Sequence, residues 1–276
     1  MTLSRRMLVA VLPLLAGAGL IRRAHAAIAL DGHLIQGGLV FGRTDAGSRV
    51  KLDSQPIPLA RDGRFMLAFG RDQPPHATLA IAHADGKTET QELTITQRTY
   101  DIQRINGLPK NQVEPNEDEL KRIKAEQARI NAARARDTDL PYAFEGFDWP
   151  ALGPISGVYG SQRILNGEPR RPHFGVDVAA PVGTPLKAPA GGIVSLADPD
   201  LFFTGGTVII DHGHGLASLF AHMQKVTIKE GDKLAKGDVT GTLGGTGRAT
   251  GPHLHWGMYL FNIPIDPQLL VPPMPS

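Results

Sequence analysis

The sequence predicts an all-β chain of two domains, and three observations predict it. Short apolar, β-branched runs recur along most of its length, each long enough for a strand and too short for an interior helix. Turn residues stand at nearly every joint, drawn from 32 Gly and 22 Pro in 276 residues. A single stretch, Asn116 to about Asp137, has the Glu/Lys/Arg/Ala composition of a helix. A chain of this length accommodates two domains at roughly 100–200 residues each. The expected division is 27–105 for a small β-sandwich-like domain, 106–143 for a linker with a helix, and 144–276 for an antiparallel β-sheet domain.

Residues 1–26 stand apart. Arg5-Arg6 precede an apolar run from Met7 to Ile21, and Ala24-His25-Ala26 supplies small residues for a cleavage site. That order is a secretory signal peptide, by the general export route or, given the two adjacent arginines, by the twin-arginine route. The segment carries Arg5, Arg6, Arg22 and Arg23 and no acid, so its removal leaves 25 Lys+Arg against 27 Asp+Glu, and the formal charge passes from +2 to −2. A basic surface for nucleic acid is thereby unsupported, and no nucleic-acid partner is expected. The chain has no cysteine, so neither disulfides nor thiolate chemistry are available, and no lipidated cysteine follows the apolar run. No stretch after residue 27 is apolar enough to span a bilayer. The expectation is an exported protein of the periplasm or cell envelope.

In the first domain, Leu39–Gly42, Arg49–Leu52, Phe65–Ala68 and Thr78–Ala82 are candidate strands, with Asp62-Gly63 and Asp85-Gly86 as turns between apolar runs. His33, His76 and His83 show no metal-ligand spacing there and read as surface or satisfied histidines. Asn106-Gly107-Leu108-Pro109 breaks the pattern. Asn116 with Glu119 three residues on then makes a capping box, and Leu120, Ile123, Gln127, Ile130 and Ala133 trace a thin apolar stripe. Such a helix is a connector lying along one domain, or a cover over the site. From Phe144 onward strands return at 192–196, 206–211, 217–222 and 253–260.

The chemistry concentrates in this last part, where six of the ten histidines fall: His173, His212, His214, His222, His253 and His255. Strand alternation puts His253 and His255 on one face and Leu254 on the other. Two same-side imidazoles suit either two metal ligands or one ligand beside a base. A catalytic zinc takes three protein ligands and leaves a position open, and without cysteine these must be His or carboxylate. His173 and Asp177 would sit about 13 Å apart on a straight strand at ~3.3 Å per residue. Gly175 between them permits a loop that bends into a strand carrying Asp177. The competing His212-Gly213-His214 is flanked by glycines and reads as a hairpin tip, with His212 structural and His214 exposed. The basic segment Arg163 to Pro172 borders the same region, either meeting substrate carboxylates through Arg170-Arg171 or forming a solvated turn.

Three ordered motifs, His173-Phe174-Gly175-Val176-Asp177 with the run to Pro185, Phe220-Ala221-His222-Met223, and Thr246-Gly247-Arg248-Ala249-Thr250-Gly251-Pro252-His253-Leu254-His255, resemble the lysostaphin/LytM-type zinc metalloendopeptidases. The resemblance covers about Gly153 to Pro267; the N-terminal part lies outside it, although its position is similar to the extra β domain of Gram-negative members. It implies an antiparallel β fold, one Zn2+ per chain held by His173, Asp177 and His255, catalytic His222 and His253, and peptidoglycan as substrate, with D-alanyl–diaminopimelate cross-links foremost. His253 would accept a proton from water, while His222 would orient that water or donate to the developing oxyanion. Phe220 and Met223 stand where the family usually has Tyr and Leu, which removes one hydroxyl. Two other readings compete. A family member without zinc, acting as wall binder or amidase regulator, should lack a ligand, and this chain lacks none. A lipoyl-like carrier, suggested by Pro189–Val194 and Val226–Gly237, leaves the strand-held histidines unexplained.

Overall fold

The structure, a computed structural model, describes residues 28–275. The expected signal peptide lies outside the described residues. Seven strands open the chain: β1 to β7 at Leu30–Gly32, Leu39–Arg43, Arg49–Leu52, Gln55–Ile57, Arg64–Ala68, His76–Ala82 and Thr88–Thr94. They form two sheets, one in the order β1-β2-β5 and the other β4-β3-β6-β7. Period-two alternation is plain in β6, where Ala77, Leu79 and Ile81 are buried and their neighbours are not. These side chains meet Val40, Phe65 and Leu67 from the other sheet in one apolar core, the inside of a small sandwich.

The connecting region is more structured than its composition suggests. Strand β8 (Ile102–Ile105) is followed by a single helical turn, α1 (Lys110–Val113), and by helix α2 (Glu117–Arg134). The expected capping box is present: the Asn116 side chain accepts from the Glu119 amide, and the Glu119 carboxylate accepts from the Asn116 amide. Only part of the predicted stripe is used. Ile130 and Ala133 are buried, whereas Leu120 is 52% exposed, because α2 meets the following sheet only towards its C-terminal half.

Twelve further strands complete the chain: β9 (Ile155–Gly157), β10 (Gln162–Leu165), β11 (Glu168–Pro169), β12 (Val176–Ala179), β13 (Pro185–Lys187), β14 (Gly192–Leu201), β15 (Gly205–Gly213), β16 (Leu216–Val226), β17 (Lys233–Leu234), β18 (Val239–Leu243), β19 (His253–Leu260) and β20 (Ile263–Ile265). Ten of them form one sheet whose main path runs β17-β14-β15-β16-β19-β12-β9. One face carries Val176, Val178, Phe220, Leu254, Trp256 and Met258 into the main core, which Leu39, Met66 and Ala68 of the sandwich also join. The opposite face carries Leu219, Ala221 and Tyr259 against α2. The two N- and C-terminal parts are also tied by polar groups: Arg98 reaches the buried Asp266 carboxylate at 2.8 Å. Strand β8, though it follows the sandwich in sequence, pairs in parallel with β10 and lies at the edge of the C-terminal part.

Candidate metal centre

Strand pairing sets the site. In the antiparallel β12–β19 pair Asp177 stands directly opposite His255, and Ala179 opposite His253. Directly opposed side chains on one face have Cβ atoms about 5 Å apart, within reach of a shared ion. Leu254 points the other way into the core, as the alternation predicts. His173 precedes β12 on a loop and folds back, so that its Nε2 lies 2.9 Å from Asp177 Oδ1. The glycine between them serves a different need from the expected backbone turn. A Cβ on Gly175 would stand 2.5 Å from the Trp256 carbonyl and 2.7 Å from the His255 ring, so only a hydrogen fits beneath that imidazole.

His173 Nε2, His255 Nδ1 and Asp177 Oδ1 are mutually about 2.9 Å apart. The His173 ring donates Nδ1–H to the Val158 carbonyl, which turns its Nε2 lone pair inward. The carboxylate oxygen is an acceptor only. A proton on His255 Nδ1 can satisfy one neighbour at a time, so the trio holds more lone pairs than protons at the point of convergence. That donor set fits a metal ion, and among the described residues this is the one group of three that could hold one. Asp177 is fixed from its other side by Arg163, whose Nη2 lies 3.1 Å from Oδ2. Burial pushes the Asp177 carboxyl up, but hydrogen bonds and charge from His173 and His255 outweigh it and hold it well below the usual carboxylate range. His255, desolvated, is lowered to about 4 and stays neutral at pH 7.

Two more imidazoles face the trio. His253 donates Nδ1–H to the Gly251 carbonyl and presents Nε2 at 3.9 Å from Asp177 Oδ1. His222 donates Nδ1–H to Thr246, and its ring centroid lies 4.7 Å from that of His253. Burial is the main reason the His222 ring is lowered to about 3, with His253 and His255 adding to it. All five residues singled out from the sequence thus gather at one site, with Asp177, His222 and His253 lining its cleft. The structure corrects the neighbouring pair: His212 is buried between the Gly191 carbonyl and Ser218, but His214 is not exposed. It packs on Phe144 with ring centroids 5.2 Å apart, because the chain past β15 folds onto the connecting segment rather than into solvent.

The cleft itself holds about 110 Å³ and is lined by Asp177, His222 and His253 on one side and by Ile105, Leu108, Arg163 and Arg248 on the other. Sequence reasoning missed Arg248 and the wall made by the segment after β8. A larger cavity of about 410 Å³ lies between β4–β5 and the β19–β20 turn, but it is mainly apolar and far from the convergent donors.

The model of peptidase family M23 matches residues 171–267, the span that carries all five residues. A crystal structure of a peptidase M23 from Pseudomonas aeruginosa is 30% identical and aligns over 86% of this chain and 94% of that one, with a TM-score of 0.66. The chain belongs to peptidase family M23. The match to the Pseudomonas protein takes in the N-terminal sandwich as well as the M23 region. Among curated relatives, peptidoglycan DD-endopeptidase ShyA of Vibrio cholerae is 34% identical over 138 residues, half of this chain and 32% of the relative. DD-carboxypeptidase/endopeptidase Mpg of Neisseria meningitidis is 38% identical over 106 residues, 38% of this chain and 24% of the relative. The chain therefore spans a third or less of the length of these curated relatives. No helix among the described residues is long and apolar enough to cross a membrane.

Proposed function

We propose that this M23 chain is an exported zinc endopeptidase that hydrolyses peptide cross-links of peptidoglycan, with the D-alanyl–diaminopimelate bond as target. The carrying observation is the convergence of His173, Asp177 and His255 beside two further imidazoles whose Nε2 lone pairs face the same cleft. His173, Asp177 and His255 would hold the ion. When bound, zinc supplies Lewis acidity toward a water and a carbonyl oxygen. His253 accepts the proton of the attacking water at Nε2, and the Asp177 carboxylate 3.9 Å away stabilises the imidazolium that results. His222, with Nδ1–H committed to Thr246, offers an acceptor at Nε2; it therefore orients the water rather than donating to the oxyanion. Its lowered pKa keeps that lone pair free across the physiological range.

The names of the relatives support the substrate, since ShyA is named a peptidoglycan DD-endopeptidase and Mpg a DD-carboxypeptidase/endopeptidase. An extracytoplasmic location follows from that substrate and from the signal-like first 26 residues. Digestion of purified sacculi of known chemistry, with and without chelator, tests the proposal. New diaminopimelate amines identified by mass spectrometry, absent with chelator, are the expected result; intact cross-links under both conditions would overturn it.

A further inference from the structure

The wall opposite the histidines is built from arginines, and their partners are unequal. Arg163 has Asp177. Among the described residues, Arg170 and Arg248 have no carboxylate at all: Arg170 Nη2 rests on the carbonyl of Val113 and Arg248 Nη1 on that of Gln112, each at 3.1 Å. The two acceptors are consecutive carbonyls, so the two guanidiniums stand side by side. Both are half-buried. A desolvated cation answered by a carbonyl and no carboxylate is incompletely compensated, and a carboxylate is the acceptor that a guanidinium fork fits best. Burial, with Arg163 and Arg170 nearby, lowers Arg248 to about 10.

The Arg248 plane is already oriented. It lies over the Phe203 ring at 4.2 Å, and its backbone amide is fixed by the Phe203 carbonyl. Arg248 lines the same 110 Å³ cleft as Asp177 and His253, a space of only a few atoms. A group held by Arg248 therefore belongs to the residue whose bond is being cut or to its immediate neighbour. The carbonyls in place are replaceable. The segment that supplies them leaves Gln112 Oε1 buried without a partner, a penalty relieved when the segment moves.

We propose that Arg248, supported by Arg170, is a carboxylate subsite that reads the acid on the carbon bearing the scissile nitrogen, with the Gln112 and Val113 carbonyls standing in when no substrate is bound. In a D-alanyl–diaminopimelate link that carbon carries a free carboxylate, so the subsite selects this acceptor residue over an uncharged one. The inference rests on the hydrolase reading given above.

The test compares two cross-linked muropeptide dimers, one with the acceptor diaminopimelate carboxylate free and one with it amidated, using the full chain. The native protein should prefer the free acid by roughly 10- to 100-fold in kcat/KM, mostly through KM, the range expected of one hydrogen-bonded charge. Arg248→Met should erase that preference, and Arg248→Lys should restore it in part. Arg170→Met, at the rim, should reduce it less, and serves as the second variant if Arg248→Met does not fold. Equal cleavage of both dimers by the native protein, or equal loss on both in Arg248→Met, overturns the subsite while leaving the hydrolase reading intact. Failure of the native protein to cut either dimer overturns both.

Discussion

From Phe220 to Met223 strand β16 advances three residues while its partner β15 advances two, from Val208 to Gly206. The extra residue makes a bulge, and His222 within it adopts φ of 64°. On a regular strand His222 would follow Phe220 into the apolar core; the left-handed backbone swings its ring toward His253 instead. Nothing in the alternation of β16 announces this, so only the motif resemblance pointed to His222, whereas alternation alone put His253 and His255 on one face and left their roles to the resemblance. The two residues of that pair should separate cleanly. His255→Ala should lose both metal and hydrolysis, measured as metal content and release of muropeptides, while His253→Ala should keep its metal and lose about 10²–10⁴ in kcat. Metal retained in His255→Ala would refute the ligand set. Gly175→Ala pushes a methyl against the His255 ring and the Trp256 carbonyl. It should destabilise the fold by about 1–3 kcal/mol and weaken metal binding, read by thermal melts and metal titration.

Elements were read from sequence in proportion to how local their causes are. The strands at 39–43, 64–68, 205–213 and 253–260 declare themselves through apolar runs bounded by turns, and α2 through its capping box. Asn116→Ala should therefore cost about 1 kcal/mol in melts while sparing hydrolysis, since the cap lies on the surface. Strand β8 did not declare itself. Its four residues gain strand form by pairing with β10, some sixty positions later, and no local pattern encodes a parallel partner. The same holds for the wall of the cleft, which depends on Asn166 of the β10–β11 turn exchanging hydrogen bonds with Leu108. Long-range pairing of this kind is why the five site residues could be chosen from sequence and their enclosure could not.

At the scale of the whole molecule, acid should act through the buried histidines, of which His212 is the one remote from the chemistry. His212 is lowered by burial from 6.5 to about 4. Above pH 6.5 it is neutral in both folded and unfolded chains and exacts nothing. Between 6.5 and 4 only the unfolded chain takes up the proton, so stability falls as pH drops through that window, by up to about 3 kcal/mol, and levels off below it. Denaturant melts at pH 7 and pH 4.5 check the sign, and a His212→Gln chain should lose the His212 share of the fall while that of His222 and His255 remains. The sandwich and the β-sheet part should unfold together in such melts, because Leu39, Met66 and Ala68 sit in the shared core and Arg98 is bound to the buried Asp266.

His173 and His255 are separated by 82 positions and Asp177 and His255 by 78. In a chain without a single cysteine, an ion gripped at these three points acts as a removable cross-link that closes most of the C-terminal part into a loop. Because the unfolded chain cannot hold those three groups together, every binding event is also a stabilising one, about 4 kcal/mol when free metal stands a thousandfold above its dissociation constant. Chelation should accordingly lower the melting temperature by roughly 10 °C for a chain of this size, and restored metal should return it. An unchanged melt would mean that the trio is held together without help.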